Sequence, residues 1–74
     1  MKELKPIAPE KLLKILESQG FQPVRQKGSH VFVRGPEGQT TVIPVHAGEK
    51  IGRGLLEKIL RDLDISHDDF LRFL

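Results

Sequence analysis

Cysteine is absent from all 74 residues. No disulfide can therefore support the small core that a chain of this length affords, and a Cys-based metal site is excluded. Stability must come from packing, and a reducing cytoplasm is the expected compartment. No apolar run approaches the ~20 residues needed to span a bilayer, and the start lacks the charged and apolar regions of a signal peptide. A soluble, cytoplasmic protein with no membrane association is expected. The sequence has no Gly-rich phosphate loop, no Ser-His-Asp arrangement, no dinucleotide fingerprint, no internal repeat and no low-complexity segment. The three histidines, His30, His46 and His67, lack the close spacing of a metal site, so neither a metal nor another cofactor is expected.

The chain does contain a local concentration of positive charge. The net charge is only +2, but Arg25, Lys27, Arg34, Lys50 and Arg53 face only Glu37 and Glu49 between Gln19 and Leu56. Asp62, Asp64, Asp68 and Asp69 crowd the C-terminal end instead. Such a distribution suits a polyanionic partner for the middle of the chain, although charge runs are also commonly just solvated faces.

The apolar pattern predicts one domain over 1–74, with residues 1–7 a loosely ordered lead-in. Pro9 suits a first helical position, and Leu12, Leu13, Ile15 and Leu16 form a stripe at helical spacing. Gly20 suits the helix end, with Phe21 folding back onto it. A second helix beginning near Gly52 and Gly54 carries Leu55, Leu56, Ile59, Leu60 and Leu63 on its buried side. Ser66 followed by Asp69 resembles a capping box and opens a short last helix over Asp68 to Leu74.

Three strands are expected between the first two helices. Gly28 and Ser29 suit a type II′ hairpin turn, which opposes Lys27 to His30, Gln26 to Val31, Arg25 to Phe32 and Val24 to Val33. Alternation then assigns Val24, Val31 and Val33 to the core, and Arg25, Lys27, His30, Phe32 and Arg34 to the other face. A second turn at Gly35, Pro36, Glu37 and Gly38 leads to a third strand over Thr40 to Val45. A four-residue loop there would set Arg34 against Gln39, Phe32 against Thr41 and Val31 against Val42. Val42 would then join the core, and Thr41 and Ile43 would lie beside His30. Pro44 marks an edge or an ending strand.

The basic face has the parts for chemistry on RNA. Cleaving a strand through its own 2′-hydroxyl requires a proton removed from that hydroxyl, charge stabilised on the phosphate and a proton given to the leaving oxygen. An imidazole, with an unperturbed pKa of about 6.5, exchanges protons near neutral pH. His30 is thus a candidate general acid or base, with Arg25 and Lys27 holding phosphate and Ser29 fixing the turn or aiding a proton. Phe32 offers a surface on which a base can stack, while Arg34 and Lys50 extend the positive surface. His46 lies in a Pro-Val-His loop that can reach the sheet edge, as a second acid or a substrate contact. The same residues also fit a non-catalytic RNA-binding module, or a plain exposed sheet face that docks another protein.

Taken together, Gly20–Phe21, the run Arg25-Gln-Lys-Gly-Ser-His30, then Val42, Pro44 and His46, then Ile51, Gly54, Leu56, Ile59 and Leu60, and finally Ile65, Ser66 and Phe70 resemble the HicA-type (YcfA-like) toxin family of toxin–antitoxin modules. The resemblance implies an α+β fold like a double-stranded-RNA-binding domain. That fold runs α-β-β-β-α, with a three-stranded antiparallel sheet, helices packed on one face and, in this chain, a short extra C-terminal helix. It implies a metal-independent endoribonuclease, an mRNA interferase that cleaves mRNA and inhibits translation, with the histidine of the Gly-Ser-His motif, His30, as its catalytic group. It also implies a HicB-type antitoxin partner, expected to cover the His30 face. Where the family often has Gly-Thr-Leu, this chain has Gly54, Leu55 and Leu56, so any contact made by that threonine is missing here.

Overall fold

A computed structural model describes residues 3–74. Helix α1 (Pro9–Ser18) is followed by strands β1 (Gln22–Lys27), β2 (His30–Arg34) and β3 (Thr40–Pro44), then by helices α2 (Arg53–Asp62) and α3 (His67–Phe73). The strands form one antiparallel sheet in the order β1-β2-β3. This is the expected α+β architecture with its extra C-terminal helix. Among the described residues no helix is long and apolar enough to cross a membrane.

Both long helices end in the same way, and each ending carries the next apolar residue into the core. After α1, the Phe21 N–H donates to the Leu16 carbonyl at 3.0 Å and the Gly20 N–H to the Glu17 carbonyl at 3.1 Å. After α2, the Ile65 N–H donates to the Leu60 carbonyl at 2.9 Å and the Asp64 N–H to the Arg61 carbonyl at 3.1 Å. These are paired Schellman bonds, and Phe21 and Ile65 are buried beside the helices they terminate. Leu12, Leu16, Leu56, Ile59, Leu60 and Leu63 meet Val31, Val33 and Ile43 in a single core. Removing each such side chain from water stabilises the fold by about 1.5–3 kcal/mol.

The lead-in differs from expectation. Residues 1 and 2 lie outside the described residues, but Leu4 and Ile7 are buried. Ile7 and Ile51 also exchange backbone hydrogen bonds of 3.0 and 2.7 Å, which fasten the segment to the loop before α2. Burial of two apolar side chains offsets the entropy of ordering this stretch. The last helix is shifted one residue earlier than predicted. Ser66 caps it by accepting the Asp69 N–H at 3.1 Å, Phe70 is buried, and Leu74 is exposed. Leu55 also departs from the predicted stripe: it sits in the first turn of α2, on the flank of the buried row, and is exposed.

Two register differences matter more. In β1 the ladder slips between Pro23 and Arg25: Pro23, not Val24, pairs with Val33, and Val24 is 53% exposed rather than core. Proline has no N–H for the ladder and is tolerated at such bulges, which leave one residue unpaired. In the second hairpin the loop is one residue longer than predicted. The Gly38 N–H closes a turn onto the Gly35 carbonyl at 3.1 Å, Gly38 takes φ +87°, and the Gly35 N–H then reaches the Gln39 carbonyl at 2.7 Å. This G1-type bulge sets Arg34 against Thr40, Val33 against Thr41, Phe32 against Val42, Val31 against Ile43 and His30 against Pro44. A one-residue slip reverses every side chain, so Ile43 and Thr41 are buried and Val42 lies on the open face, opposite to the expectation.

Thr41 is the one buried polar residue among those described, and it is satisfied. Its hydroxyl donates to Asp62 Oδ2 at 2.9 Å, joining β3 to the end of α2. Lys58 donates to the same oxygen at 2.8 Å. The Gln39 side-chain amide adds a 3.2 Å bond to the Leu63 carbonyl. The hydrogen bond from Lys58, then that from Thr41, hold the Asp62 carboxyl below its usual value.

Two expected outcomes follow from this packing. Ile43→Ala should lower unfolding stability by about 2–5 kcal/mol and Val42→Ala by no more than about 0.5 kcal/mol, as measured by urea denaturation. The reverse order would mean that the strand has the other register. Because Asp62 is more acidic folded than unfolded, its contribution is present above the unfolded carboxylate pKa of about 3.9 and is lost as pH falls below it. Thr41→Val removes one of the two side-chain hydrogen bonds that lower it. The stability gap between wild type and Thr41→Val should therefore narrow between pH 5 and pH 2, and a gap independent of pH would contradict the assignment.

Candidate functional site

With the core on one side, the sheet presents its other face to solvent as three cross-strand rows. Lys27, His30 and Pro44 form the row at the turn; Arg25, Phe32 and Val42 form the next; Gln22, Arg34 and Thr40 form the third. Directly opposed residues have Cβ atoms about 4.5–5.5 Å apart, so Lys27 is an immediate neighbour of His30. The β1–β2 register predicted from Arg25 to His30 is thus the observed one. Gly28 has φ +58° and Ser29 has no positive φ, which is the signature of a type II′ turn.

The chain after β3 returns to this turn. Beyond the pairing of His30 with Pro44, the Val45 N–H donates to the Ser29 carbonyl at 2.7 Å. That bond delivers His46 to the turn: its Nε2 lies 3.5 Å from Ser29 Oγ, at the outer limit of a hydrogen bond. The His30 and His46 rings stand edge to face with centroids 6.4 Å apart and planes inclined at 81°. Both residues are exposed, so packing does not require either ring to be there.

One row away, the Arg25 guanidinium carbon lies 5.0 Å from the centroid of the Phe32 ring. Such a cation–π contact contributes about 0.5–1 kcal/mol at an exposed site and holds the cation over the sheet. The aromatic surface here is a guanidinium–phenyl pair rather than the bare phenylalanine expected from sequence. Arg34 shares the face but sits four residues along the strand from His30, about 13 Å away at ~3.3 Å per residue. Lys50 is exposed in the loop after β3, and no hydrogen bond or ion pair among the described residues ties it to the other site residues.

The electrostatics are one-sided. The ion pairs among the described residues are Arg53–Glu57, Lys58–Asp62 and Arg72–Asp69, all within helices. Arg25, Lys27 and Arg34 have no carboxylate partner among the described residues, so their charge remains available to an anion. Among these residues no three His, Asp or Glu side chains converge as metal ligands. The surface around His30 is open. A groove lies elsewhere, lined by Leu4, Pro6, Ile7, Phe70, Leu71 and Leu74. Small molecules favour concave sites, whereas a flat basic face suits an extended polymer.

The structure therefore brings together His30, Lys27, Ser29 and His46, with Arg25 and Phe32 in the adjoining row. It adds Val42 and Thr40, which sequence reasoning assigned to the core or left unassigned. The signal for them was Gly38: a glycine closing a Gly-Pro-Glu-Gly loop invites the extra bulge residue that reverses the strand. The family model described as HicA toxin of bacterial toxin–antitoxin matches residues 9–65, from the first residue of α1 to the residue that ends the α2 cap. No curated protein sequence matches the chain significantly.

Proposed function

The chain belongs to the HicA family of bacterial toxin–antitoxin toxins, and from that premise we propose that it is a metal-independent endoribonuclease that cleaves mRNA in the cytoplasm and so stops translation. Family membership itself implies the toxin role and a partner antitoxin. The observation that carries the enzymatic reading is the pairing of His30 with Lys27 on an uncovered sheet face, with no acid among the described residues to neutralise the cation. His30 acts as general acid or base, and Lys27 and Arg25 hold the scissile phosphate. Ser29 fixes the turn. Phe32 with Arg25 receives an unpaired base, and Arg34 and Lys50 contact the RNA further out.

The energetic scale suits these roles. A positioned acid or base contributes about 10²–10⁴ in rate, and base stacking on such a platform about 1–3 kcal/mol in binding. With a chelator present, the purified protein should cut single-stranded RNA. His30→Ala should cut at least ~100-fold more slowly while binding RNA within a few-fold of wild type. Equal cleavage by both would remove His30 from the chemistry, and loss of wild-type cleavage in chelator would overturn metal independence. Binding that weakens steeply with salt, without product from either protein, would leave a non-catalytic RNA-binding module.

The antitoxin, of HicB type, covers the His30 face, because masking the cations and the imidazole blocks binding and chemistry together. Amide exchange of the complex should slow at residues 27–29 and 46–50, leaving α1 and α3 unchanged. Protection confined to the helices would place the antitoxin on the other side of the molecule.

A further inference from the structure

The apposition of two imidazoles deepens the ribonuclease reading, on which this inference rests: we propose that His46 is a second catalytic residue, transferring the proton that His30 does not. In cleavage through the 2′-hydroxyl, the bond from O2′ to phosphorus forms as the bond from phosphorus to O5′ breaks. The entering and leaving oxygens lie on opposite sides of the phosphorus. One proton leaves the 2′-hydroxyl and one arrives on the 5′-oxygen, giving a 2′,3′-cyclic phosphate and a free 5′-hydroxyl with no redox change or co-reactant. A single imidazole cannot stand on both sides at once.

His30 and His46 are two imidazoles that the structure places side by side. Their centroids are 6.4 Å apart, their planes are inclined at 81° and both rings are exposed, so a phosphate docked over the pair lies close to two imidazoles rather than one. Proton transfer needs each reacting oxygen within about 2.6–3.2 Å of a ring nitrogen. Lys27, opposite His30, supplies positive charge to the non-bridging oxygens. The spacing of the two rings is set by backbone. The 2.7 Å bond from the Val45 N–H to the Ser29 carbonyl joins the residue before His46 to the residue before His30. Ser29 is a positioning residue, its hydroxyl 3.5 Å from His46 Nε2. Fixing two proton-transfer groups this way removes orientational freedom that the reaction would otherwise have to lose.

The test uses a short RNA containing one linkage that the wild type cuts, prepared with either oxygen or sulfur at the 5′ leaving position. Sulfur departs without a proton, so replacing the general acid no longer matters. On the oxygen linkage, His46→Ala should lose at least ~100-fold in kcat/KM, and the bell-shaped pH profile of the wild type should lose one limb. On the sulfur linkage, one of His30→Ala and His46→Ala should recover toward wild type and the other should not, which identifies the acid and the base. Matching thermal unfolding of wild type and variants shows that the fold is intact. The inference is overturned if His46→Ala keeps both limbs with only a raised KM, or if both variants or neither recover on sulfur. In those cases cleavage by wild type still supports the ribonuclease reading; absence of wild-type cleavage overturns both.

Discussion

Strand β2 has a neighbour on each side and helices on only one of its faces, so its five residues are committed alternately to two environments. Val31 and Val33 are buried, and that burial leaves His30, Phe32 and Arg34 no choice but the open face. The strand part of the candidate site hangs on this alternation. Lys27 and Arg25 join the face because the type II′ turn at Gly28 and Ser29 pairs β1 with β2 without a slip over the three positions nearest the turn. The bulge that frees Val24 comes only beyond them, so irregularity in β1 does not reach the residues beside His30.

The two ends of β3 tie this face to the rest of the molecule in different ways. At one end, Thr41 and Gln39 bond to Asp62 and Leu63, so the strand cannot slide relative to α2. At the other end, Val45 bonds to Ser29 and carries His46 to the turn. A strand anchored at the helix end and paired through to the turn transmits the position of the core to the exposed imidazoles. The charge distribution follows the same division. Glu57, Asp62 and Asp69 pair with cations on their own helix, while Arg25, Lys27 and Arg34 of the sheet remain unpaired among the described residues.

Membership of the HicA toxin family gives this arrangement a biological sense. A toxin must be active when released and silent when bound. Under the proposed function, the cations and histidines share one exposed face, so a single contact surface serves both substrate and antitoxin. The two long helices support that face through amphipathic stripes and Schellman endings.

Local chemistry made much of this legible in the residues themselves. Pro9, Gly20 and Ser66 announce helix ends; the leucine stripes announce buried faces; Gly28-Ser29 announces the tight turn that sets Lys27 beside His30. These signals depend on neighbours within a few residues, and they survive in any context that allows the fold. The side on which Thr41, Val42 and Ile43 lie did not have that character. It depended on whether Gly38 would open a bulge, and packing of Ile43 into the core together with the Thr41–Asp62 bond selects the bulged register. Docking of Leu4 and Ile7 and the 6.4 Å approach of His46 to His30 likewise arise from contacts between segments distant in the chain. The sequence alone determined the elements, the turn and the basic strand face. Tertiary structure decided which strand side faces water and which second histidine stands beside the first, because both are set by long-range pairing that local periodicity does not encode.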